Sequence, residues 1–141
     1  MNSQSSAFID SNVLIRYLIG EPEAMALKAK VIIESDQLLL VSVHTLAETG
    51  YVLESFYKAP RSDLVDMLMA LIQRQNMKIY TLPKPLALDA LRMCRNSKRN
   101  SFADALLWAL VSDSEHKQLY TFDERFIADG ITILNFGANV T

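Results

Sequence analysis

Asp10, Glu48, Asp104 and Asp123 are the side chains of this sequence best placed to do chemistry. Asp10 ends the apolar run Ala7-Phe8-Ile9, and Asp123 follows Leu119-Tyr120-Thr121-Phe122. Glu48 lies in the first turn or two of a helical pattern that follows a second apolar run, and Asp104 opens another helix. Carboxylates gathered from separate elements repel one another, and a divalent cation such as Mg²⁺ or Mn²⁺ makes the gathering favourable. Each acid also has a plainer reading. Thr45-x-x-Glu48 and Ser101-x-x-Asp104 match a helix capping box, and Asp10 and Asp123 stand where simple N-caps would. Four acids at one edge of a fold weigh more than any one of them, and capping does not exclude metal binding.

The elements that must position these acids alternate. Ala7–Ile9, Leu38–Val41, Lys78–Leu82, Gln118–Thr121 and Ile131–Leu134 read as short buried strands. Helical spacing runs through Glu23–Ser35, Thr45–Tyr57, Arg61–Gln75, Pro85–Asn96 and Phe102–Glu115, and a further helix carrying Arg16 follows Asp10. Short apolar strands separated by helices predict an α/β fold with a central parallel sheet of four to five strands and helices on both faces. In such a sheet ligands bind beyond the carboxyl ends of the strands, where the acids fall. Pro60 and the Pro83/Pro85 pair mark turns, and no repeat or low-complexity linker divides the chain.

Phe8-Ile9-Asp10-Ser11-Asn12-Val13-Leu14, Leu46-Ala47-Glu48, Phe102-Ala103-Asp104-Ala105-Leu106 and Tyr120-Thr121-Phe122-Asp123 resemble, in order and spacing, the four motifs of PIN-domain nucleases. The length of the chain and the near-complete coverage make it most similar to the VapC-like toxins of type II toxin–antitoxin pairs. The resemblance implies that residues 1–141 form one PIN-like nuclease domain. It implies a Mg²⁺- or Mn²⁺-dependent endoribonuclease with Asp10, Glu48, Asp104 and Asp123 as its acids, and a partner antitoxin that blocks the site. In that mechanism Asp10 and Asp104 bind the main metal ion, Asp123 and Glu48 complete the site directly or through water or a second ion, and Asn12 and Thr121 orient them. Ser11 stands where the family more often has Thr, and Phe122 where a polar residue is frequent; neither removes a carboxylate.

Composition bounds the rest. With 141 residues, half of them hydrophobic, one domain with a substantial core is expected. A net charge of -2 excludes coating of nucleic acid by bulk electrostatics, so contact with an RNA substrate needs a local patch. Arg92, Arg95, Lys98 and Arg99, just upstream of Asp104, are the phosphate-contact candidates, with a solvated helix end as the alternative; Arg16 is a weaker one. No aromatic–basic interleaving of a stacking platform appears. Met67–Ile72 is apolar throughout, which fits either an interior helix or a groove for a partner helix or a homodimer. Trp108 reads as core, and Gly50 as a point of close backbone packing.

A single cysteine, Cys94, and the lack of a basic leader or membrane-length apolar run fit an unprocessed cytoplasmic protein without membrane contact. Covalent catalysis and zinc hydrolysis find no support, since His44 and His116 are the only histidines and no HExxH occurs. A dehalogenase-like site needs an acid where Asn12 stands, and a receiver needs a Lys after a late strand, where the sequence has Asn135-Phe136-Gly137. The remaining alternative is a PIN-fold RNA- or protein-binding module without catalysis, whose mark would be a missing acid; none is missing.

Overall fold

The computed structural model describes residues 5–134. Within them, β1 (Ser6–Ile9), β2 (Leu38–Ser42), β3 (Met77–Tyr80), β4 (Gln118–Tyr120) and β5 (Thr132–Leu134) form one sheet in the order β3-β2-β1-β4-β5, with every pairing parallel. Six helices connect them: α1 (Ser11–Ile19), α2 (Glu23–Ile33), α3 (Val43–Ser55), α4 (Arg61–Ile72), α5 (Lys84–Arg95) and α6 (Phe102–Asp113). The expected α/β fold with a five-stranded parallel sheet is therefore the one observed. Asn135–Gly137, invoked above against a receiver, lies outside the described residues.

The period-two geometry of a strand explains why both sheet faces are covered. In β1, Ile9 packs with Val13, Leu14, Ala29, Ile33 and Leu71, while its neighbour Phe8 packs on the opposite face with Leu107, Leu110, Val111 and Phe126. In β2, Leu39 and Val41 join the first cluster and Leu40 the second. The buried side chains Leu14, Leu39, Leu107 and Leu119 each contribute about 1.5–3 kcal/mol by leaving water.

Several local expectations are corrected. Helix α3 starts at Val43, and its N-cap is Ser42, whose side chain accepts from the Thr45 amide at 3.0 Å. Thr45 is a buried interior residue whose hydroxyl accepts from Ser42, so Thr45-x-x-Glu48 is not a capping box. Among the described residues no helix follows Asp123; its carboxylate accepts from the Arg125 amide at 2.9 Å and caps a turn. Helix α4 is not interior: Leu64 and Leu71 are buried while Val65 and Met69 face solvent. At Gly50 an added Cβ would meet only the Leu68 side chain at 3.7 Å, an ordinary contact, so close packing does not require glycine there. Trp108 packs against the core as expected, though it is only half-buried, and its indole N–H donates to the Asp129 carbonyl at 2.8 Å. Gly20 ends α1 in the left-handed region (φ 81°), where its amide reaches the Arg16 carbonyl at 2.9 Å.

The chain order across the sheet places a switch point at β1. From β1 the chain winds through β2 to β3 on one side, and β4 and β5 fill the other. Residues after β1 and β4 therefore meet at the crevice where parallel α/β sheets bind ligands.

Candidate active site

Asp10 follows β1 directly and is 5% exposed. One carboxylate oxygen accepts from the Ser11 amide at 2.8 Å, which caps α1, and the other accepts from the Thr121 hydroxyl at 2.8 Å. Thr121, just past β4, is itself buried, and its hydroxyl oxygen accepts from the Asn12 side-chain amide and the Asp123 backbone amide, both at 3.0 Å. Asn12 in turn accepts from the Phe122 amide at 3.1 Å. Asn12 and Thr121 thus tie the end of β4 to the start of α1 and fix the side-chain direction of Asp10.

Glu48, on the second turn of α3, accepts from the Ser11 hydroxyl at 2.8 Å. Asp104 sits in the first turn of α6, where Ser101 caps the helix by accepting from the Asp104 amide at 3.0 Å. Of the two capping patterns in the sequence, this one forms. The Asp104 carboxylate also hydrogen-bonds Ser101. Asp123 is brought to the site by the turn after β4, with its amide on Thr121.

The electrostatics follow from burial and crowding. Burial pushes the Asp10 carboxyl up to about 6, partly countered by the bonds from Thr121 and Ser11 and reinforced by the nearby Asp104 and Glu48 charges. The Asp104 carboxyl is also raised, by burial first and then by Asp123 and Glu48. The four acids therefore feel one another. The ion pairs among the described residues are Arg61–Glu54 and Arg92–Asp89, so no protein cation pairs with any of the four. Hard carboxylate oxygens with uncompensated negative charge suit a divalent cation. Among the described residues no three Asp, Glu, His or Cys side chains stand close enough together to hold a metal ion between them.

Two groups named in the sequence without a role at the site are found there. Ser11 holds Glu48, and His44, near Glu48, lies 3.4 Å from the Ser42 hydroxyl. Burial lowers the His44 pKa despite the Glu48 charge, so its neutral form is favoured at neutral pH. No short-range pattern signals the role of Ser11, because Glu48 is distant from it in sequence. Among the basic candidates, Arg92 pairs with Asp89 at 3.0 Å within α5, and Arg16 donates to the Glu21 carbonyl and the Tyr57 hydroxyl. Arg95, Lys98 and Arg99 are exposed and form no ion pair among the described residues.

The family model described as PIN domain matches residues 7–129. The solved structure of VapC20 from Mycobacterium tuberculosis, a sarcin–ricin loop cleaving toxin, is similar to this chain with a TM-score of 0.72. That similarity covers 91% of this chain and 97% of that one at 22% sequence identity, and it is a likeness of fold. No curated protein matches the sequence.

Proposed function

The chain belongs to the PIN domain family, and on that premise we propose that it is a Mg²⁺- or Mn²⁺-dependent endoribonuclease, the toxin of a toxin–antitoxin pair. The observation that carries the reading is the buried Asp10 carboxylate, held on both oxygens within the field of Asp104 and Glu48 and with no protein cation to balance it. Asp10 and Asp104 would hold the main ion, with Glu48 and Asp123 completing the site directly or through water. A divalent cation bound there supplies neutralisation of phosphate charge and a water acidic enough to attack near neutral pH.

The chain's own residues do the positioning. Ser11 and Thr121 each occupy one lone pair of an Asp10 oxygen and leave the others available. The Ser11 hydroxyl turns Glu48 toward the same space, and Asn12 locks the strand-end turn that presents Asp123. His44, favoured as the neutral form, adds no positive charge that would compete with a cation. A cognate antitoxin and a second copy of the chain belong to the same proposal. Exposed Val65 and Met69 on α4 give them an apolar surface. Among the described residues no helix is long and apolar enough to cross a membrane.

The test is RNA cleavage by Asp10→Asn and Asp104→Asn in Mg²⁺ or Mn²⁺. Each should lose about 100-fold or more in rate, the scale of several kcal/mol of transition-state stabilisation. Undiminished cleavage by both variants refutes the mechanism. Absence of cleavage by the parent, together with no thermal response to either metal, favours a binding module without catalysis.

A further inference from the structure

Phe102 is the first residue of α6, two positions before Asp104, and it is 66% exposed. It contributes nothing to the core. The helix buries Ala105, Leu107, Leu110 and Val111 instead, and Ser101 already secures its start. Helix α3 packs against α6, and Glu48 of α3 lies near enough to Asp104 of α6 to raise its carboxyl, so the two helix starts border the same acids. Val43, the first residue of α3, is exposed as well. Upstream of Phe102, Lys98 and Arg99 are exposed and form no ion pair among the described residues. The sequence shows no repeated aromatic–basic interleaving, but the structure leaves one ring, Phe102, exposed between the Lys98 and Arg99 cations and the Asp104 carboxylate.

That order matches a single strand of nucleic acid, in which phosphates alternate with bases whose faces stack on aromatic rings. Other rings, Tyr51 and Phe56 among them, are exposed as well, but Phe102 stands two residues from Asp104. On the nuclease reading above, we propose that Phe102 is a substrate-positioning residue that stacks on an unpaired nucleobase next to the phosphate to be cut. Lys98 and Arg99 then receive a neighbouring phosphate.

The test pairs kinetics with binding on the full chain. With a single-stranded oligoribonucleotide, Phe102→Ala should raise KM by about 5- to 100-fold, the usual worth of one stacked base, while kcat changes little. Phe102→Trp should restore KM. Its added indole emission, read above the Trp108 signal of the parent in EDTA, should be quenched by the oligonucleotide and not by an abasic ribose–phosphate chain of equal length. An unchanged KM in Phe102→Ala, or equal quenching by the abasic chain, overturns the stacking assignment. These outcomes separate from the nuclease reading. Quenching without cleavage by the parent would leave stacking standing and remove catalysis. Cleavage with no effect at Phe102 would do the reverse, and loss of antitoxin binding alone in Phe102→Ala would reassign the ring to the protein partner.

Discussion

Asp10→Asn should make the metal-free protein more stable at neutral pH, although it removes the central acid of the site. The Asp10 carboxyl is raised from 3.8 to about 6, so the folded state binds its proton more tightly than the unfolded chain does. The sign follows directly. The wild-type side chain is least costly below its unfolded value near 3.8, and stability is lost as pH rises through the folded value near 6. At roughly 1.4 kcal/mol per unit, the ionised carboxylate burdens the fold by about 3 kcal/mol near pH 7.5 and by about 1 kcal/mol near pH 4.5. Asparagine can still accept from the Ser11 amide but no longer takes the Thr121 proton as before, a loss of about 1 kcal/mol. The variant should therefore gain about 2 kcal/mol near pH 7.5, some 5–8 °C in Tm for a domain of this size, and gain nothing near pH 4.5. Thermal and urea unfolding of both proteins in EDTA at the two pH values measures this difference. Saturating Mg²⁺ should reverse the order, since about 100-fold excess over Kd stabilises only the protein that binds it by about 2.7 kcal/mol. A variant that is less stable than the parent in EDTA at both pH values would refute the account of Asp10 as a strained, uncompensated charge.

Thr121→Val keeps the shape but leaves the Asn12 amide and the Asp123 N–H without their acceptor; it should cost about 1–3 kcal/mol in urea unfolding and lower the cleavage rate, with Thr121→Ser retaining most of both. Ser11→Ala frees Glu48 and should lower cleavage about 10-fold while changing stability by under about 1 kcal/mol, whereas Ser11→Thr, which keeps the hydroxyl, should stay near the parent; equal rates for both variants would remove Ser11 from the site.

The sheet and the acids were legible because their signals are local. Each strand is a short apolar run that stops at a polar residue, and the parallel fold itself states what the stopping points are for. Asn12 and Thr121 were legible for the same reason, as polar residues beside those stops. Other features depended on choices that sequence does not make. Ser42 and Thr45 are both good caps, and only the backbone decides that Ser42 takes the role and Thr45 goes inside. The Asp123 pattern suits a helix cap and a turn equally, and the turn forms. Met67–Ile72 is apolar enough for two buried faces, yet α4 packs on one side only, leaving Met69 outside. His44 acquired its place through the packing of α3 against α6, elements far apart in the chain.

The bond between Asp10 and Thr121 spans 111 positions. During synthesis the segment through α5 can emerge and begin to pack while β1 still has one edge unpaired, because its neighbour β4 has not been made. Until Thr121 arrives, Asp10 lacks one of its two bonds, and Asp123 lies beyond it still. On the proposed nuclease reading, a nascent chain thus holds Asp10 and Glu48 before Asp104 and Asp123 exist. The site forms only once β4 pairs with β1, late in synthesis.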